Sequence, residues 1–268
     1  MSRRRHQAIA GRHRRVSEYA RDAAANPGVD GLPVPCGSRP LASSVYAGPV
    51  RGVTLGTIGS SPAWLNTRTP RPLAPLCDVL ASLRAATAEQ HARLDQAMPL
   101  SGSTPTLDDY RDHLLILRAW LAPLERWLAR FGDGPQDAAR LPSVPRASLL
   151  EQDLAHPAMP SGGMAVDEID VATLRGDAAY RWGVCYVIEG SQLGGAVLYR
   201  QLSRQLAPHP LDYLGAGKTP GPRWQQFLQA LRANVQEPAD IALACAGAQR
   251  TFNDLLARVP ACASSGTR

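Results

Sequence analysis

Tyr186-Val-Ile-Glu-Gly-Ser-Gln-Leu-Gly-Gly-Ala-Val-Leu-Tyr199 has a helical pattern at both ends, yet Gly190, Gly194 and Gly195 sit inside it. A glycine in a helix interior costs about 1 kcal/mol relative to alanine, so three give up about 3 kcal/mol of propensity. Gly183, Gly190 and Gly194 stand at i, i+7 and i+11, which is one helix face, and Gly195 lies beside the last of them. A helix bare along one stripe lets something come close to its backbone. Another helix would fit there, and so would a flat ligand. A second element has to decide.

That element lies a hundred residues upstream. Leu76, Leu80, Leu83, Thr87, His91, Leu94 and Met98 make one helical stripe in which His91 is the odd member. A lone histidine on an apolar face is usually a satisfied core residue. Here Asp95 stands one turn beyond, placed to take the second ring N–H and orient the imidazole. Arg84 stands seven residues before, about 10 Å back along the axis at 1.5 Å per residue, which is near the span from the centre of a porphyrin to its carboxylate edge.

The remaining pattern is helical too. Thr106 with Asp109 resembles a capping signal, and Leu107–Phe131 reads as an amphipathic helix that Pro123 is expected to kink or break. Within it His113, between Asp112 and Leu114, reads as a partly exposed residue. Residues 145–155 form a short helix with His156 at its end, Val166–Thr173 a turn or short helix, and Asp177 to about Leu206 the glycine-bearing helix. Pro208–Pro222 reads as a surface connection carrying His209. Two further helices follow, one around Trp224–Leu231 and one over Ile241–Val259. Neither strand alternation nor an internal repeat is present in the sequence, so the expected fold class is all-α, a bundle of about 6–8 helices.

Composition narrows the function. Residues 1–75 carry 11 Arg against 3 acidic residues, a net +8, whereas the rest of the chain carries 18 basic against 20 acidic residues, a net −2. The basic balance therefore belongs to an Arg/Pro/Gly-rich leader, expected to be disordered, and the folded part has no nucleic-acid footprint. Five cysteines without a C-x-x-C pair argue against a disulfide framework or zinc module and for a reduced, cytoplasmic setting. Cys185 and Cys245 read as packing residues. No apolar run is long enough for a membrane span, and no secretory signal or dinucleotide-binding fingerprint occurs.

Leu83-Arg-Ala-Ala-Thr-Ala-Glu-Gln-His91 resembles the proximal helix of heme oxygenases, whose pattern is Leu-basic-x-x-Thr-x-x-x-His. Gly190-Ser-Gln-Leu-Gly-Gly195 is similar to their distal helix, and the two follow in the family's order and spacing. The Glu-Gly-Ser-x-Leu-Gly-Gly form resembles the bacterial, bacteriophytochrome-associated branch. The resemblance implies a heme-oxygenase-like multi-helix bundle over residues 76–260, with the leader (1–75) and a disordered tail (261–268) outside it. It implies His91 as axial ligand to heme iron, Arg84 as a cofactor-binding contact to a propionate, and Gly190, Gly194 and Gly195 as the catalytic distal wall; beside these, Asp95 is expected as a cofactor-binding residue from its spacing to His91, and Ser191 as a catalytic one that holds water. Heme b would be both cofactor and substrate, cleaved to biliverdin, carbon monoxide and ferrous iron. Electrons would come from an external ferredoxin, flavodoxin or reductase, and a bilin-binding phytochrome could receive the product.

There are departures. Better-known members have an aspartate where Ser191 stands and a tyrosine where Cys185 stands, with Tyr186 adjacent here. Their basic residues on the penultimate helix fall on Gln225 and Gln229, with Arg223 and Arg232 nearby. The alternatives are a non-catalytic heme carrier on the same fold, an unrelated helical enzyme with a nucleophilic cysteine, and a nucleic-acid-associated protein using the leader.

Overall fold

Helix α1, Val79–Ala97, begins where Asp78 caps it, its carboxylate accepting from Leu80 N at 3.3 Å. The computed structural model describes residues 78–216 and 221–260, and all of these are helix, turn or irregular chain with no strand among them. The leader (1–75) and the tail (261–268) lie outside the described residues. Six α-helices follow α1: α2 Leu107–Leu128, α3 Arg146–Leu154, α4 Ala178–Leu202, α5 Asp212–Gly215, α6 Gly221–Asn234 and α7 Pro238–Leu256. Short 3₁₀ turns cover Pro99–Ser101 and Gly134–Gln136. The expected all-α class is what the chain adopts.

Local chemistry explains the starts and stops. Thr106 and Asp109 form a reciprocal capping box at α2: Asp109 N donates to Thr106 Oγ1 at 3.2 Å, and Thr106 N donates to Asp109 Oδ2 at 2.8 Å. Pro123 does not break the helix, and α2 runs through it. Proline has no N–H for the carbonyl four residues back, that of Ala119. Ile169 N supplies the missing donor at 3.1 Å from Ala119 O. Of Val166–Thr173, expected as a turn or short helix, only the end forms a turn, with Leu174 N donating to Val171 O at 3.2 Å; residues 166–170 are irregular chain laid against α2, and that is how they can make this bond.

The core is built on α4, which packs most extensively against α7. Gly183 and Gly247 make that approach possible. A Cβ at Gly183 would run into the Ala244 carbonyl, and one at Gly247 into the Tyr180 carbonyl. Helix α1 also packs on α7, burying Val79, Leu80, Leu83 and Thr87. Trp120, fully buried on α2, ties that helix to α7 by donating from its indole nitrogen to Thr251 O at 3.1 Å. Helices α1 and α4 thus share one partner, and beyond it they diverge around a cavity.

The stretch expected as a surface connection is in part interior. His209 is buried, and α5 brings Tyr213 and Leu214 into the core. The buried carboxylate of Asp153 organises this corner by accepting from Asp212 N at 2.9 Å, Tyr213 N at 2.8 Å and the Tyr110 hydroxyl at 2.5 Å. Burial and the Asp153 charge together push the Tyr110 phenol well above its ordinary range, so it stays the donor. Leu211 enters α5 with φ 56°, a left-handed conformation unusual for leucine. Its N–H donates to His209 Nδ1 at 3.0 Å, and its side chain is fully buried.

Candidate functional site

Between α1 and the C-terminal half of α4 lies a cleft of about 220 Å³, partly open to solvent. Its lining is mostly apolar. Ligand sites typically combine apolar walls with a few polar groups. Six of the seven expected site residues line it: His91 and Asp95 from α1, and Gly190, Ser191, Gly194 and Gly195 from α4.

His91 stands on the cavity face of α1 with 41% of its side chain exposed and its ring 5.9 Å from that of Phe252 on α7. Its Nδ1 lies 3.2 Å from Asp95 Oδ2, one helical turn on. The pair is at ion-pair distance but lacks the alignment of a hydrogen bond. Asp95 therefore faces the ring nitrogen it was expected to reach, without yet being bonded to it.

The glycine wall divides in two. Gly183, expected on the same bare stripe, is spent on α7, as described above. At Gly190 an added Cβ would meet only the Trp224 ring, at 3.8 and 3.9 Å, and at Gly195 only Leu214 Cδ2, at 3.7 Å. Both are ordinary van der Waals distances, so the protein's own packing does not require glycine at either place. Each nevertheless costs about 1 kcal/mol of helix propensity. A backbone left bare toward a cavity, with no internal neighbour needing the space, fits the close approach of a flat ligand.

Polar groups cluster beside this wall. Ser191 Oγ donates back to Ile188 O at 2.7 Å, so its hydrogen is taken by the helix. Gln192 Nε2 donates to Ser191 Oγ at 3.2 Å and to the Tyr213 hydroxyl at 3.4 Å. Ser191 is thus an acceptor on the cavity wall, with Tyr213 as the neighbouring hydroxyl. Burial raises the Tyr213 phenol above its ordinary value, so it is protonated at neutral pH.

Just before Gly190, the buried Glu189 carboxylate holds α4 to two other helices. It accepts from Arg146 at 2.7 Å and from Arg223 at 2.7 and 2.9 Å. Removing one partner of such a buried group costs about 3–5 kcal/mol. Arg223 is accordingly bound to Glu189, and Arg232 pairs with Asp78 at 3.2 Å. Gln225 and Gln229 are exposed. Arg84, the seventh expected residue, is exposed and does not line the cleft; its charge acts on Tyr186, which does.

Among the lining residues that sequence reasoning did not assign to the site are His113, Tyr213, Leu214 and Trp224. His113 is buried, not partly exposed, and burial pushes its pKa down to about 4. Its position relative to Tyr110 and Leu117 (i+3 and i−4) would have placed it inward, but its charged neighbours in sequence drew the reading outward. Burial pushes the Cys185 thiol up to about 12, away from the thiolate form a nucleophile needs.

A histidine on one wall of an apolar cleft and glycine backbone on the other give a site with room for a flat ligand between two helices. The sequence profile of the family described as heme oxygenase matches residues 77–257. A heme oxygenase from Xanthomonas campestris pv. campestris (strain 8004) is 34% identical over 145 residues, which is 53% of this chain and 81% of that protein. No solved structure matches. The chain belongs to the heme oxygenase family. No helix among the described residues is long and apolar enough to cross a membrane.

Proposed function

We propose that this heme oxygenase takes heme b between α1 and α4 and opens it to biliverdin, carbon monoxide and ferrous iron, using dioxygen and electrons from outside. The observation that carries this placement is the pairing of His91 with Gly190 and Gly195 across one cleft, where neither glycine is required by internal packing. His91 would hold the iron through Nε2, since its Nδ1 is turned to Asp95. Asp95 would keep the ring in that tautomer and raise its basicity. Bound heme supplies both the oxygen-activating iron and the macrocycle that is cleaved.

The chain's own part is orientation and proton supply. Gly190, Gly194 and Gly195 leave peptide backbone where a side chain would otherwise project, so that the ring lies close against α4. Ser191 accepts a hydrogen bond from water at this wall, and Tyr213 holds a protonated hydroxyl next to it. We assign the proton reservoir to this Ser191–Gln192–Tyr213 cluster, in place of the carboxylate that Ser191 lacks. Arg84, two turns before His91, is our choice for contact with a propionate at the cleft mouth, because Arg223 and Arg232 are already paired with carboxylates.

Residues 76–260 would be the catalytic domain, with 1–75 and 261–268 outside it. An external ferredoxin, flavodoxin or reductase would supply the electrons. The Glu-Gly-Ser-x-Leu-Gly-Gly motif supports membership of the phytochrome-associated branch, with the bilin passed to a phytochrome, and the odd number of cysteines without a C-x-x-C pair supports a cytoplasmic setting. The full chain titrated with hemin should develop a Soret band, and with ascorbate or a reductase in air that band should give way to red bilin absorption. Heme binding without bilin would make the protein a carrier. Absence of heme binding would end the reading.

A further inference from the structure

Among the described residues, three buried side-chain polar atoms have no hydrogen-bond partner: Asp95 Oδ2, His113 Nδ1 and Trp224 Nε1. All three residues line the same cleft. Asp95 is accounted for by the imidazole it faces. The other two are not. His113 is 6% exposed and Trp224 8% exposed, and leaving a buried polar group unsatisfied costs about 1–3 kcal/mol. Both rings are otherwise firmly seated. His113 lies on the inner face of α2 near Leu117, and Trp224 stacks on Phe227 with centroids 5.5 Å apart and planes 16° apart.

The substrate offers these nitrogens little. The rim of heme is hydrocarbon except for two carboxylates, and a carboxylate buried against neutral donors with no cation is strongly disfavoured. His113 is itself uncharged at neutral pH, because burial holds its pKa near 4. Ring opening changes the ligand's chemistry. An open-chain tetrapyrrole carries two terminal lactam groups, whose oxygens are neutral acceptors and whose N–H groups are donors. These are the partners an indole N–H and a neutral imidazole can satisfy in a dry site.

We propose that His113 and Trp224 form a product-recognition pair whose ring nitrogens hydrogen-bond the lactam groups of the open-chain tetrapyrrole and find no equivalent partner on heme. The pair favours the opened ring over the closed one, so it bears on product retention and leaves heme uptake alone. This rests on the proposed function, since it takes a linear tetrapyrrole to be formed in this cleft.

The test compares dissociation constants for biliverdin and hemin in the full chain and in His113→Leu and Trp224→Phe. Each substitution should weaken biliverdin about tenfold, equivalent to about 1.4 kcal/mol, and change hemin affinity less than about twofold. Thermal stability of the ligand-free variants should hold or rise, because replacing an unpartnered polar group with an apolar one of similar shape is neutral or better. His113→Gln, which keeps a hydrogen-bonding group, should recover part of the biliverdin affinity. Equal weakening of both ligands, or no change in either, overturns the proposal. Should a variant fail to fold, the wild-type Trp224 indole N–H resonance decides: it should shift with biliverdin and stay put with zinc protoporphyrin. A wild-type chain that binds no hemin would instead sink the proposed function itself.

Discussion

The two halves of α4 use the same residue for opposite ends. At Gly183 the absent side chain lets α7 pack backbone to backbone, and a Cβ there would overlap the Ala244 carbonyl. Two turns later at Gly190, and more than three at Gly195, the absent side chain faces a cleft where a methyl group would sit at ordinary contact distance. The first glycine is a requirement of the fold. The others are a cost in helix propensity that only a ligand can offset. Both readings of a glycine-rich helix, helix packing and ligand approach, are therefore right, each for its own half.

That contrast can be broken at either end. The largest effect should come from Gly183→Ala, which forces two helix backbones apart. We expect destabilisation beyond about 4 kcal/mol, the range of severe core overpacking, and chemical denaturation showing near-native stability would remove the packing half of the contrast. His91→Ala should leave the ligand-free helical content intact while abolishing the normal heme spectrum. An unchanged spectrum would mean that the wall opposite the glycines is not where iron is held.

Gly195→Leu should fold, losing no more than about 1 kcal/mol in the ligand-free state, since an exchange from glycine to leucine recovers helix propensity. Bilin formation should fall to background, because the side chain occupies the ligand's space. Retained turnover would show that the bare wall serves packing after all. The smallest and sharpest effect belongs to Gly190→Ala. Ligand-free stability should rise by about 0.5–1 kcal/mol while hemin affinity drops several-fold. If stability falls instead, Gly190 belongs with Gly183.

Much of this architecture could be read along the chain. The helical period of residues 76–98, the Thr106–Asp109 capping box and the glycine run are local signals, set by neighbours three and four residues away. They gave the fold class, and they placed His91, Asp95 and the glycines on faces that do meet. That α2 continues through Pro123 was not legible, because the Ile169 N–H that serves the Ala119 carbonyl comes from 46 residues beyond the proline in sequence. Tyr213 was missed for a similar reason. Its position depends on Asp153, which accepts from two backbone N–H groups at the start of α5, and a Pro/Gly-rich stretch gives no hint of such a partner.

The sequence by itself determined which segments are helical, that an imidazole and a bare backbone stripe are available, and that the family is heme oxygenase, because each of these is encoded in residue types at short fixed spacings. Only the tertiary structure decided which glycine touches a helix and which a cleft, and that His113 and Trp224, each with an unpartnered buried nitrogen, line that cleft. Helix propensity and periodicity fix what a segment offers on each face; what lies opposite that face is fixed by packing between residues far apart in the chain.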